Sequence, residues 1–303
     1  MLELTVYGII YGSIIALGAI GLTLIYGILR FANFAHGDLM SVGAYIALFL
    51  LNVLFPRLGI PQERFGETSF GWPLILAMPI SAALTALLAI ALDQLFYRPL
   101  RARRASAVIL AMASLGAAFI VRNLIYIFWG PDKISYFPGL YRPAWQLPLD
   151  IRIRPDELIT VVLALSLVAL IYLFLQKTKL GKAMRATADN PDLARVTGIN
   201  IEQVRVWTWG IGAGLAAVAG IMYGVNSLLY PEMGWGFLLP LFAAAILGTV
   251  GNPYGALAGG LVIGVVQRLS TAWLNPAYQP AVAFLVLIIV LLVRPQGIFG
   301  GRS

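Results

Sequence analysis

A chain of 303 residues that is 60% hydrophobic and only 11% charged, with a mean hydropathy of +0.87, reads as an integral membrane protein; soluble domains run at roughly 45–50% apolar and about 25% charged. The net charge of +8 does not call for nucleic acid, because basic residues beside apolar spans set membrane orientation and meet anionic headgroups. Having no cysteine and one histidine excludes disulfides, thiolate metal sites and a His-rich metal centre, and no chain-bound cofactor or metal is expected.

A spanning helix needs about 20 mostly apolar residues, and residues 4–29 form the first such stretch. Its glycines (Gly8, Gly12, Gly18, Gly21 and Gly27) are expected to let other helices approach closely. No cleavable signal peptide is expected, since this stretch lacks a basic start and is too long. Residues 30–38, RFANFAHGD, are polar, and 40–55 are apolar again. A loop at 56–71 precedes a span at 72–97, a basic turn at 98–104 and a span at 106–129 that contains Arg122. Residues 130–155 read as a mixed-charge loop and 156–175 as a span. Beyond residue 205 come a span at 206–229, a break at 231–236 and a short apolar segment at 237–250 containing Pro240. A turn at 251–253, a span at 254–274, a loop at 275–280 and a last span at 281–293 complete the order.

The stretch 177–205, KTKLGKAMRATADNPDLARVTGINIEQVR, is a polar island between spans. Lys177, Lys179, Lys182, Arg185, Arg195 and Arg205 outnumber Asp189, Asp192 and Glu202. Its punctuation predicts folded structure. Asn190 before Pro191 starts a helix, with proline where a missing N–H costs nothing. Asp192 suits the positive end of the helix dipole, and Gly198 suits a C-terminal cap. Asn200, three residues before Gln203, opens the next helix as a capping-box variant. A short surface helix from Pro191 to about Val196 follows. Leu193 and Val196 share a face and are expected to meet a partner, with Ala194 permitting close approach and Arg195 meeting an acidic rim. A solvated connector is the plainer alternative.

The positive-inside rule puts 98–104, 177–205 and the tail with Arg294 and Arg302 in the cytoplasm. With Arg30, thirteen of the twenty-one Lys and Arg then lie inside. Arg57, Arg64, Lys133, Arg142, Arg152, Arg154 and Arg268 fall outside or near it. An even number of crossings must follow residue 205, so the short 237–250 segment has to cross. The expectation is an all-α polytopic membrane protein of about nine spans, or eight if one pair is re-entrant. Its N-terminus is outside and its C-terminus cytoplasmic.

Residues 30–38 and 231–253 interrupt the apolar pattern. Irregular backbone at membrane depth is tolerated only inside protein or along a cavity, and interrupted segments point to a transport route. Small residues follow both interruptions, a hint of an internal repeat. Asn33, His36, Gly37, Asp38, Gly251 and Asn252 are therefore candidate pathway residues. The alternative, preferred for the first group, is that His36 and Asp38 cap the second helix at the inner surface. Helix starts near Gly37 and Gly251 offer dipoles to a carboxylate; a wet, transiently sealed cavity is the alternative. Arg122 must face protein or a wet cavity, or snorkel outward, and its partner is not legible. Asp93 is expected to snorkel inward or pair with Arg98.

Four stretches occur in order: GLTLIYGILRFANFAHGDLMSVGAY, the 177–205 island running on into VWTW, AILGTVGNPYGALAGGLVIGVV, and VLLVRPQGIFG. Together they resemble the permease subunits of branched-chain amino-acid ABC importers over essentially the whole chain. The resemblance implies one transmembrane permease domain over 1–303, with 177–205 as the coupling loop that docks on an ATPase. Ala188, Asp189, Ala194 and Gly198 match the family spacing, and Asn190, Pro191, Leu193, Arg195 and Val196 complete the expected coupling surface. Asp189 stands where the broader ABC-permease loop carries Glu.

The resemblance further implies two ABC ATPase subunits holding ATP and Mg²⁺ and a soluble substrate-binding protein. It also implies a second homologous permease chain, in a heterodimer rather than a homodimer, and an inner-membrane location. Branched-chain or other neutral amino acids are the implied substrates, with urea and short amides as an alternative. No Walker A sequence G-x-x-x-x-G-K-[ST] occurs, so the chain is not itself the ATPase, and no catalytic constellation is present. Few intramembrane charges argue against a proton relay. A self-contained secondary carrier or facilitator is the runner-up class, followed by a membrane-embedded enzyme or scaffold.

Overall fold

The structure is a computed structural model that describes residues 1–139, 143–147, 151–294 and 296–298. Arg142, Pro295 and the tail with Arg302 lie outside the described residues. The helices are α1 (Leu2–Leu29), α2 (His36–Arg57), α3 (Trp72–Ala102), α4 (Ala107–Trp129), α5 (Pro155–Lys177) and α6 (Lys179–Asp189). They continue with α7 (Pro191–Val196), α8 (Ile201–Asn226), α9 (Met233–Leu247), α10 (Pro253–Ser270) and α11 (Pro276–Val293). Seven of them, α1 to α5, α8 and α11, are long and apolar enough to cross a membrane. The all-α polytopic reading stands. One short antiparallel hairpin, β1 (Trp145–Leu147) with β2 (Ile151–Ile153), sets Trp145 opposite Ile153 within the expected loop at 130–155. Strands of three residues are too short to declare themselves by alternation.

The centre of the bundle is α1, the most enclosed of the spans. It packs along α10 and, on another side, along α8. Small residues permit this: a Cβ on Gly260 would lie 2.6 Å from the Ala16 backbone, and one on Gly264 would lie 2.2 Å from Gly12 Cα. Helices in lipid gain no hydrophobic drive from meeting each other, so such close packing holds them. In turn α8 carries α2 and α3. Two helices widen into a π turn, at Leu50–Leu54 and at Asp93–Tyr97. Each lies just before a proline, Pro56 or Pro99, which cannot donate its helical bond; the widened turn absorbs the gap.

Contacts sort the connections onto two faces. On one, Arg30 donates to the Ala188 carbonyl of α6, Arg98 pairs with Glu202 at 3.6 Å, and Thr249 Oγ1 donates to the Gln296 carbonyl at 2.9 Å. On the other, Asp156 accepts from the Ser69 amide and hydroxyl at 2.7 and 2.6 Å, and Ile134 pairs with Leu229. There too the Tyr7 hydroxyl donates to the Arg152 carbonyl at 2.7 Å, and Gln267 Nε2 donates to the Gln279 carbonyl at 2.8 Å. Consecutive connections alternate between the faces. Among the described residues, every segment between consecutive connections therefore passes from one face to the other, α2 together with its 30–35 lead-in and the short α9 with the residues before it included, which agrees with the count of about nine. The expected break at 231–236 is mostly the first turn of α9, which begins at Met233.

Candidate functional site

The polar island folds into two short helices that break at Asn190, not one helix and a tether. Thr178 Oγ1 accepts from the Gly181 amide at 2.9 Å and starts α6. Asn190 Oδ1 accepts from the amides of Asp192 and Leu193 at 3.1 and 3.0 Å and starts α7. Gly198 has φ +86°, the left-handed conformation its capping role requires. Asn200 Oδ1 accepts from the Gln203 amide at 3.1 Å and starts α8. Each cap bonds across two or three residues, which is why the sequence displayed them. Sequence reasoning missed α6 itself, although its buried Gly181, Met184 and Thr187 recur at a spacing of three.

On α7, Leu193 is 61% exposed and Val196 is 82% exposed. Ala194 is 3% exposed and faces the bundle. The expectation that Ala194 lies on the outward, docking side is thus corrected: its small side chain seats α7 on its own chain. Its carbonyl also accepts from the Ile199 amide at 3.1 Å. Arg195 lies 3.5 Å from Asp192 in an exposed pair, the kind that contributes little to stability. Arg30, which the sequence offered only as a positive-inside charge, donates to Ala188 near the C-terminal end of α6, where the helix dipole favours a cation.

The Arg30 end leads into the first interruption, which is buried inside the bundle. Phe31 packs against Tyr97 and Trp209, with ring centroids 5.4 and 6.4 Å away. The Phe34 amide donates to Ser114 Oγ at 2.9 Å, and Asn33 Oδ1 accepts from the Ala35 amide at 3.2 Å. Then α2 begins, with His36 Nε2 2.9 Å from the Gly18 carbonyl, well along α1 from its end. Asp38 accepts from Arg122 Nε and Nη2, both at 2.9 Å. His36 and Asp38 are fully buried. The preferred expectation of caps at the inner surface is therefore corrected: α2 starts in the interior of the bundle. Gly37 there meets Gly234 of α9 backbone to backbone, leaving no room for a Cβ.

Arg122 also lies over the Trp235 and Phe119 rings at 4.7 and 5.5 Å. Its partner was not legible because the pair joins positions far apart on different helices. Asp93 pairs with Arg101 at 2.6 Å, not with Arg98; one widened turn of α3 brings Arg101 back over it.

The candidate pathway residues fall in two places. Asn33, His36, Gly37 and Asp38 surround the start of α2. Gly251 and Asn252 line a cavity of about 330 Å³ on the α6–α7 face, together with Thr23, Ala188 and Asp189. The structure thus joins the 251–252 turn to the polar island. Asn252 Oδ1 accepts from the Tyr254 and Gly255 amides at 3.1 and 3.2 Å, so the helix start expected to receive a carboxylate has these amides already occupied.

A bundle of membrane-crossing helices with an interrupted interior and a capped helical pair fixed to one face defines a polytopic membrane protein. The chain belongs to the family described as the permease component of branched-chain amino acid transport systems, whose family model matches residues 4–291. It is 32% identical to the high-affinity branched-chain amino acid transport system permease protein LivH of Escherichia coli (strain K12), over 97% of this chain and 93% of that protein. It is 30% identical to the corresponding BraD protein of Pseudomonas aeruginosa, over 99% of this chain and 95% of the relative. A probable branched-chain amino acid transport permease, LivH of Methanocaldococcus jannaschii, is 32% identical over 96% of this chain and 90% of its own. No solved structure matches. The chain is a transport subunit, and the family resemblance read from its motifs is correct.

Proposed function

We propose that this chain is one of two permease subunits of an ATP-driven importer in the inner membrane. It takes branched-chain or other neutral amino acids from a soluble binding protein and passes them to the cytoplasm. Two separate ATPase subunits bind ATP and Mg²⁺ and dock on α6 and α7. A second, homologous permease supplies the other docking element, since one chain carries one such element for two ATPases. The substrate class follows the names of the relatives and the family.

The observation that carries this reading is the α6–α7 pair, seated through Ala194 with Leu193 and Val196 held out. Large apolar side chains exposed on a fixed helix mark an interaction surface. Positive charge places this face in the cytoplasm, with the N-terminus outside and the C-terminus inside. A push on α6 reaches Arg30 through the Ala188 carbonyl, and from there the buried 30–35 segment leads to Asn33, His36, Gly37 and Asp38. Movement of that segment opens the route, with the Gly251–Asn252 cavity as its cytoplasmic mouth.

The test is a paired substitution, Leu193→Asp with Val196→Asp, in vesicles holding the whole complex. ATPase co-purification and leucine uptake are expected to be lost while the thermal stability of the bundle is unchanged. Normal uptake with normal ATPase binding overturns the reading.

A further inference from the structure

On the face opposite α6 and α7, the ends of α1, α5, α8, α10 and α11 enclose a cavity of about 300 Å³. Its lining includes Tyr7, Tyr11, Arg154, Glu157, Asn226 and Arg268. Its charges are unevenly matched. Arg154 is neutralised: its Nε and Nη2 donate to Glu157 Oε1 at 2.9 and 2.7 Å, and its backbone amide donates to Oε2 at 2.9 Å. That arrangement also engages both oxygens of the Glu157 carboxylate. Arg268 has no such partner among the described residues. Its guanidinium lies 4.8 Å from the Tyr11 ring centroid, and its Nε is shut off from solvent without a hydrogen bond.

Asn226 shows the complementary defect. Its Nδ2 donates to Thr160 Oγ1 and to the Met222 carbonyl, both at 2.8 Å, which fixes the amide. Its Oδ1 is buried and accepts from nothing among the described residues. Buried polar groups are costly to leave unpaired, so an idle cationic donor and an idle acceptor lining one cavity describe a ligand. Arginine binds carboxylates through strong, charge-assisted bonds. An amide oxygen accepts from an ammonium, and tyrosine rings attract one.

We infer that this cavity binds a small zwitterion, an α-amino acid, with its carboxylate on Arg268 and its ammonium at Asn226 Oδ1. The role as an entry site rests on the import reading above; the binding itself does not. An uncharged urea or amide leaves Arg268 unneutralised, so the cavity selects against that substrate class.

The experiment uses the purified permease complex in lipid nanodiscs without binding protein. Calorimetry measures leucine, 4-methylpentanoate (no ammonium), leucinamide (no carboxylate) and acetamide. Leucine is expected to bind, both truncated analogues to bind about tenfold or more weakly, and acetamide not at all. Arg268→Gln is expected to weaken leucine by about tenfold or more, with Arg268→Lys intermediate and thermal stability unchanged in both. Leucine binding that survives Arg268→Gln in a complex that imports leucine overturns the site and leaves the import reading standing. Arg268-dependent binding in a complex that imports no amino acid supports the site and removes the import reading. Acetamide binding as tightly as leucine overturns the site. So does absence of leucine binding when, in a separate pull-down with the binding protein added, Arg268→Gln releases that protein, since the occupant is then a protein side chain.

Discussion

Asp38 and Arg122 hold α2 to α4 by a two-pronged ion pair inside the bundle. Taking two charges out of water offsets much of their attraction, so the pair adds little over an apolar one, but a lone survivor is expensive. Arg122→Met alone is expected to destabilise the complex by about 3–5 kcal/mol. Asp38→Leu with Arg122→Met is expected to cost much less. Thermal unfolding of the purified complex, read as a double-mutant cycle, checks this; additive losses mean the pair is not what joins the helices. Ala194 makes a different point. Because it faces the bundle, Ala194→Trp is expected to unseat α7 at a cost of about 1–3 kcal/mol. Faster hydrogen exchange across α6 and α7 should accompany any loss of ATPase binding. Unchanged exchange with lost binding restores Ala194 to the docking surface.

The α6–α7 element was half legible. Asn190, Gly198 and Asn200 act within one turn, so their types and spacing display the start and end of α7 and the start of α8. The side that α7 presents to the bundle depends on how the loop is docked, which no local signal encodes. Gly198→Val is expected to fray the end of α7, because a β-branched residue at φ +86° is strained by about 1–2 kcal/mol or more. Gly198→Asn should be milder, since asparagine tolerates that region better. Amide exchange at Thr197, Ile199 and their neighbours reads this directly, and equal protection in all three proteins removes the cap from the account.

At the scale of the molecule, the alternation of connections between two faces fixes which segments share a side. Orientation is then a single choice, and charge makes it. The chain contains no cysteine, so a single introduced thiol reports without background. Gln146→Cys on the hairpin is expected to react with a membrane-impermeant maleimide in intact cells. Val196→Cys is expected to react only after permeabilisation. The reverse pattern turns the molecule over.

The sequence by itself determined the membrane class, the crossing segments, the helix caps and the family. Lipid admits only apolar spans with satisfied backbone, and caps and charge bias are local. Only the tertiary structure decided that α2 begins in the interior, that Arg122 answers Asp38 and Asp93 answers Arg101, and that Ala194 faces inward. It alone gathered Arg268 and Asn226 around one cavity. These depend on the rotation, depth and neighbours of each helix, set by backbone packing at residues such as Gly12, Gly260 and Gly264 between segments far apart in the chain.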